Sequence, residues 1–469
     1  MVIFFNSPLP YFCPMNDPEL IRKYNVPGPR YTSYPTVPFW KNANLSPAEW
    51  TNSLQTFIQH NAVNEGSIYI HLPFCESLCT FCGCHKRITK NHQVELPYIA
   101  SLVKEWQLYK AYLPENFQIK ELHLGGGTPT FFTPENLIQL MKGIFGNDSI
   151  APKNCELSLE AHPGTTSEEH LKLLYAFGFR RISFGIQDYD STVQIAIHRV
   201  QSFELVQKMH YLSREMGYAV NHDLVYGLPK QNFVGFTDTI EKTIALAPDR
   251  IALYSYAHVP WVKGVGQRGY SESDLPQDEE KRALYEMACE KLEAAGYLSI
   301  GMDHFALPSD SLANAFKNKK LHRNFMGYTT QSTEVMIGLG MSAISDCGTA
   351  FAQNEKTVEA YQERVEKGEI PIFRGHLLNE TEMRIRQHIL DLMCHFETEI
   401  QPQNETWNAI YTGIKHRLNA LESDELFTWK ENKLMVTEKG APFVRNICMA
   451  FDLDLVENQQ KEKLFSKTI

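Results

Sequence analysis

Residues 67–84 read SIYIHLPFCESLCTFCGC. The first half, SIYIHLPF, is a run of β-branched and aromatic residues brought to a stop by Pro73, the pattern of a buried strand. The second half holds Cys75, Cys79, Cys82 and Cys84, at gaps of three, two and one residues. The cysteines therefore occupy a loop leaving the end of a strand, with Gly83 giving the backbone room to fold around a ligand.

Nothing else in the chain points to an oxidising compartment, so a disulfide is disfavoured. A structural zinc site draws on two well-separated C-x2-4-C knuckles. Here Cys84 follows Cys82 by two residues, which makes a tetrahedron awkward to close. An iron–sulfur cubane held by three thiolates fits the C-x3-C-x2-C spacing better and leaves one iron open to a small molecule.

Outward from this stretch the pattern becomes strand then helix, repeatedly. Strands are expected at 67–72, 119–124, 155–160, 181–186, 219–226 and 250–256, with helices at 93–112, 134–145, 167–178, 202–217, 235–246 and 278–295. Each strand is a nearly continuous apolar run, as expected where both faces are covered. Six such units imply a parallel α/β sheet or partial barrel, which gathers its ligands at the carboxyl ends of the strands. Periodicity does not choose between the two.

At those ends stand chemically useful residues. The second strand runs into Gly125-Gly126-Gly127-Thr128-Pro129-Thr130, whose glycines let backbone amides approach a ligand. It lacks the lysine and the spacing of a phosphate loop. Glu160, Gln187-Asp188 and Asp223 fall at the ends of the next three strands, and Arg199 follows the fourth. Buried charges need partners, so this set points to a polar ligand in the mouth.

The flanks read differently. Residues 28–36, GPRYTSYPT, form an extended arm, whose Arg30, Tyr31 and Tyr34 are placed to pack on the domain surface. IGLGMSAIS, residues 337–345, reads as a glycine-rich strand or turn. Asn379 and Glu382 open a helix whose apolar stripe is Ile385, Ile389, Leu392 and Met393. A helix at 404–422, a strand–turn–strand at 426–436 and a helix in RNICMAFD (445–452) complete a helical, winged-helix-like module, read as a lid more than as a DNA binder. The expected division is a disordered extension at 1–15 (or a true start at Met15), an arm at 16–60, the α/β domain at 61–375 and the helical domain at 376–469.

No apolar run approaches the ~18 residues needed to cross a bilayer. The apolar opening lacks the basic region of a signal peptide. A net charge of −10 argues against a general nucleic-acid binder, and an anionic substrate must be met by local arginines and lysines. The remaining cysteines, Cys13, Cys155, Cys289, Cys347, Cys394 and Cys448, read as buried thiols in a reducing cytoplasm.

Taken together, Tyr69-x-His71-x-Pro73-Phe74-Cys75, CESLCTFCGC, GPRYTSYPT, GGGTPT, GIQD, DLVYGLP, YAHVP, GMDHFA, HRNF and RNICMAFD resemble the oxygen-independent coproporphyrinogen III oxidases of the radical S-adenosylmethionine superfamily, over residues 20–452. The resemblance implies an incomplete parallel (β/α)6 barrel with an N-terminal arm and a smaller, mainly helical C-terminal domain. It implies a 4Fe–4S cluster on Cys75, Cys79 and Cys82, with Cys84 in the active site but not a ligand. Tyr69, Gly126, Glu160 and Ile344 would line a first S-adenosylmethionine. Phe81, Gly127, Thr128, Gln187, Arg199, Asp223 and Ala257 would line a second.

The implied reaction, in haem biosynthesis, turns two propionates of coproporphyrinogen III into vinyl groups through a 5′-deoxyadenosyl radical. A low-potential donor such as flavodoxin or ferredoxin would supply the electron to a cytoplasmic monomer that needs neither membrane nor nucleic acid. Arg30 and Arg323 are the candidates for gripping the substrate carboxylates, with Lys86 a weaker one. One departure is His162, where the family often has an acid. The rivals are a haem-binding chaperone of the same superfamily and a zinc-stabilised winged-helix regulator. Cys84, HRNF and RNICMAFD favour the oxidase over the chaperone.

Overall fold

A computed structural model describes residues 18–41, 44–146, 150–260, 266–458 and 465–468. The extension at 1–15, including Met15, lies outside the described residues. The chain forms two units. One comprises Trp40–Leu284 and Thr333–Met383, and the other the residues up to Phe39, Tyr285–Ser332 and those from Arg384 onward.

In the first unit, six strands follow one another in parallel: β1 (Glu65–Leu72), β2 (Gln118–Gly126), β3 (Glu156–Ala161), β4 (Phe179–Gln187), β5 (Ala219–Tyr226) and β6 (Arg250–Ser255). Helices Glu95–Lys110, Pro134–Phe145, Glu168–Phe177 and Phe203–Met216 return the chain between β1 and β5, and Phe233–Leu246 does so before β6. All six sequence-expected strands are present. Ile68, Ile70 and Leu72 of β1 are fully buried, with Ile68 opposite Leu122 and Ile70 opposite Leu124. Each such side chain contributes roughly 1.5–3 kcal/mol by leaving water.

The glycine-rich stretch at 337–345 resolves into two strands. β7 (Met336–Leu339) runs parallel to β1 on the side away from β2, and β8 (Ile344–Asp346) turns back against β7. β9 (Ala350–Asn354) and β10 (Ile372–Leu377) continue antiparallel. The order across this unit is thus β10-β9-β8-β7-β1-β2-β3-β4-β5-β6. Gly338 permits the tight β7–β8 return, since a Cβ there would stand 2.4 Å from the Ile344 carbonyl oxygen.

The second unit packs helices Glu405–Ser423 and Val444–Phe451 around a core that includes Ile389, Leu392, Tyr411, Leu418, Ile447 and Phe451. A three-stranded sheet joins the expected hairpin, Phe427–Lys430 and Lys433–Val436, to Glu397–Glu399. The arm is held here. Tyr31 and Tyr34 are 4% and 2% exposed, and the Tyr31 hydroxyl donates to Asp452 Oδ2 at 3.0 Å. Arg445 Nε donates to the Pro29 carbonyl and its Nη1 to that of Thr468, both at 2.9 Å. GPRYTSYPT and RNICMAFD therefore clasp each other, and both tyrosines serve packing.

Candidate active site

Pro73 ends β1, but the chain does not leave the sheet freely. Phe74–Cys75 forms a short parallel pair with Arg87–Ile88: Arg87 N donates to Pro73 O (2.8 Å) and Thr89 N to Cys75 O (2.9 Å). The cysteine excursion is closed at its base by these bonds. Thr80, 2% exposed, pins its far side, with its N–H on Ile197 O and its hydroxyl on Ala196 O. Lys86 Nζ donates to the carbonyls of Cys82 (3.3 Å) and Cys84 (3.2 Å) from within.

The glycine loop after β2 lies against this excursion. Gly127 N donates to Leu72 O (2.9 Å), Thr128 N to Phe74 O (3.1 Å), and Thr128 Oγ1 lies 3.3 Å from Cys75 Sγ. A Cβ at Gly127 would stand 2.6 Å from Pro73 O and 3.0 Å from Cys75 Sγ. A Cβ at Gly83 would meet no atom within 4 Å. Gly83 thus has open space around it, as its expected role in giving the loop room requires, and the close approach falls at Gly127.

Behind the loop runs a chain the sequence did not reveal. His71 Nε2 bonds to His85 O at 2.8 Å, which requires its proton there and leaves Nδ1 to accept from the Tyr69 hydroxyl at 3.1 Å. Burial lowers the His71 pKa to about 4 and keeps the ring neutral. Alternation along β1 puts Tyr69 and His71 on one face, which was readable; the return of His85 was not.

Cys75, Cys79, Cys82 and Cys84 share one cavity of about 350 Å³ with Phe81, Lys86, Gly126, Gly127, Thr128, Glu160, Gln187, Arg199 and Asp223. His162, Ser183 and His198 line it too. Glu160 Oε2 accepts from Gly126 N at 3.2 Å. Asp223 accepts from the Ser183 hydroxyl (2.7 Å) and from Asn221 Nδ2 (2.8 Å). Arg199 donates through Nη2 to Gly185 O (2.6 Å) and through Nη1 to Cys79 Sγ (3.7 Å), while its buried Nε has no protein partner. His162 Nδ1 accepts from Gly164 N at 2.9 Å, and burial with Arg199 nearby lowers its pKa to about 3.

Not every strand-end acid faces the cavity. Asp188 is fully buried and accepts from Thr239 Oγ1, Asp190 N and Gln231 Nε2 at 2.6–2.8 Å, so it braces the loops after β4 and β5. Burial raises its pKa to about 6. Tyr69, Ala257 and Ile344 are not among the described lining residues. Ala257 O accepts from Gln267 Nε2 (2.7 Å), and Ile344 pairs with Gln353 between β8 and β9. Arg30 and Arg323 belong to the other unit, where Arg323 lies 4.4 Å over the Tyr328 ring and donates to Arg30 O at 3.4 Å. Asp303 stands beside both arginines and His304; burial pushes its carboxyl up, but the His304 contact and the two guanidiniums outweigh it and bring it down to about 2.

The thiols suit a cluster. Burial raises the Cys75 pKa to about 11, so that sulfur becomes a thiolate when a metal centre displaces its proton. The hydrogen bond between Cys82 and Cys84 lowers the Cys82 pKa and raises that of Cys84, so the two thiols differ in how readily they ionise. Among the described residues no three or more His, Cys, Asp or Glu side chains converge as they would around a single ion. A cubane spreads its thiolates over separate corners. An orphaned Arg199 Nε beside Cys79 adds a donor for a bound anion.

A parallel sheet with three spaced cysteines and a glycine loop at its carboxyl end defines the radical S-adenosylmethionine class. The superfamily's model matches residues 69–243. Membership implies a 4Fe–4S cluster and S-adenosylmethionine. The oxygen-independent coproporphyrinogen III oxidase of Helicobacter pylori is 38% identical over 97% of this chain and 99% of that protein. The Escherichia coli protein of the same name is 36% identical over 97% and 98%. A solved structure titled as coproporphyrinogen III oxidase from Escherichia coli, a radical SAM enzyme, matches with a TM-score of 0.84 at 34% identity, covering 90% of this chain and 97% of that one. The chain belongs to the oxygen-independent coproporphyrinogen III oxidase family. The expected fold class holds, extended by β7–β10 beyond the six βα units.

Proposed function

We propose that this chain carries out the anaerobic oxidative decarboxylation of coproporphyrinogen III to protoporphyrinogen IX, in haem biosynthesis. The observation that carries the reading is the convergence of Cys75, Cys79 and Cys82 with the Gly126–Thr128 backbone and Arg199 on one cavity at the strand ends. Each of two propionates loses a β-hydrogen atom to the radical, releases carbon dioxide and passes one electron to an external one-electron acceptor to become a vinyl group. When bound, the cluster and S-adenosylmethionine supply the 5′-deoxyadenosyl radical that takes the hydrogen.

The chain's own residues bind and orient. Cys75, Cys79 and Cys82 hold the cluster. Glu160 keeps oxygen lone pairs beyond its Gly126 bond and is suited to the ammonium of the methionine moiety; Tyr69 and Ile344 belong to the same first binding position. Phe81, Gly127, Thr128, Gln187, Arg199, Asp223 and Ala257 serve a second S-adenosylmethionine, where Arg199, through its unpartnered Nε, and the Asp223 carboxylate offer opposite charges. Arg30 and Arg323 pair with substrate propionates, as an acidic protein needs short-range cations to hold four carboxylates. The enzyme acts as a cytoplasmic monomer fed by flavodoxin or ferredoxin. No helix among the described residues is long and apolar enough to cross a membrane.

The test is an anaerobic assay with the porphyrinogen, S-adenosylmethionine and dithionite. Protoporphyrinogen and 5′-deoxyadenosine formed together support the reading. Retention of haem without turnover would replace it with the chaperone.

A further inference from the structure

Arg87–Ile88, the strand paired with Phe74–Cys75, presents exposed side chains: Arg87 and Lys90 are open to solvent and Ile88 is 41% exposed. Cys75 O, on the same residue as one of the thiols assigned to the cluster, accepts directly from Thr89 N at 2.9 Å. Lys86, next to Arg87, bonds two further cysteine carbonyls. The outer face of this strand is therefore one hydrogen-bonded layer from the cluster position.

That face is basic in a chain of net charge −10. Lys356 and Arg374 lie close enough to His85 to act on its charge, together with Lys86. Lys356 Nζ stands 4.9 Å over the ring of Phe373, which is 42% exposed. Glu359 neutralises part of the charge, at 3.0 Å from Arg87, but both side chains are more than half exposed and the pair is weak in water. Cations beside exposed apolar side chains, Arg87 next to Ile88 and Lys356 over Phe373, are the usual anatomy of a transient docking site.

Resting on the proposed function, we infer that this strip receives a small acidic one-electron carrier protein, which reduces the cluster from outside the cavity. One electron leaves the carrier and enters the cluster, so the carrier is oxidised and the cluster reduced by one. The cavity mouth must admit cofactor and substrate, whereas the strip approaches the same cysteines from the outer side of their loop. Charge complementarity steers the encounter and makes it sensitive to salt.

The experiment uses cluster-loaded protein and flavodoxin as the probe. Arg87→Glu/Lys90→Glu/Lys356→Glu is expected to weaken flavodoxin binding at least tenfold at low salt and to slow cluster bleaching by reduced flavodoxin in parallel. Bleaching by dithionite should stay within twofold of wild type. Wild-type binding should weaken as salt rises, and the variant's should not. Arg87→Gln alone, a milder change, should give the same direction. Flavodoxin affinity unchanged in both variants, or no salt-dependent binding to wild type, overturns the docking site. Absence of turnover with dithionite would instead overturn the proposed function, so the two failures are distinguishable.

Discussion

Thr128 places its hydroxyl 3.3 Å from the Cys75 thiol, joining two loops 53 residues apart. The contact is possible because Gly127, one residue earlier, has no side chain to hold the strands apart. Leu72, Phe74 and the glycine loop are locked by backbone bonds on either side of it.

Gly127→Ala should therefore damage the cluster site more than its size suggests. The added Cβ would meet Pro73 O at 2.6 Å and Cys75 Sγ at 3.0 Å, and backbone cannot yield as a flexible side chain can. Folded protein with reduced iron and sulfide per chain after anaerobic reconstitution is expected. Gly83→Ala, which meets nothing within 4 Å, should reconstitute fully. Equal iron content in the two variants would reject the argument.

The cysteines are predicted to divide three to one. Alanine at Cys75, Cys79 or Cys82 should abolish the charge-transfer absorbance of the reconstituted cluster. Cys84→Ala should retain iron and lose turnover, since Cys84 hydrogen-bonds the Cys82 sulfur from an exposed position. Comparable iron loss in all four would reassign the ligands.

The sequence carried the repeating βα units because each strand is a continuous apolar run. It hid β10, where Arg374 and His376 interrupt the pattern; buried His376 is satisfied by Glu382, which accepts from Nε2 at 3.0 Å, and by Lys41 N, which donates to Nδ1 at 3.1 Å. It blurred β7 because IGLG looks like a turn. The cysteine spacing and strand-end residues exposed most of the cavity. Asp188 was misleading, as local sequence does not say which way a side chain at a strand end turns. The Tyr69–His71–His85 chain depends on a loop folding back, which no periodicity encodes.

Arg30 and Arg323 should separate in their effects. Arg30→Gln is expected to weaken porphyrinogen binding roughly tenfold to a hundredfold, the loss of one hydrogen bond to a charged group at about 1.5–3 kcal/mol. Its S-adenosylmethionine affinity should not change. Arg323 is 6% exposed and lies over Tyr328, so Arg323→Gln should also lower Tm. Unaltered affinity for both ligands in both variants would remove the arginines from the substrate site.

Glu105 sets a pH dependence of stability that has nothing to do with catalysis. Its carboxyl is fully buried, and accepts from Gly340 N (2.8 Å), the Tyr361 hydroxyl (2.7 Å) and Asn354 Nδ2 (2.7 Å), tying the exits of β7 and β9 to helix Glu95–Lys110. Burial raises its pKa to about 8, against the opposing effect of those donors. The unfolded chain releases this proton near the ordinary value of 4.5. Between the two values the folded state binds more protons than the unfolded one, so stability falls as pH rises through this window and levels off above about 8. Glu105→Gln cannot titrate. It should be less stable than wild type at pH 5, where the acid is uncharged and well bonded, and the gap should shrink by on the order of a few kcal/mol by pH 8.5. Denaturant unfolding of both proteins across that range reads the gap directly. A gap that stays constant with pH would mean that Glu105 is ionised in the folded protein throughout.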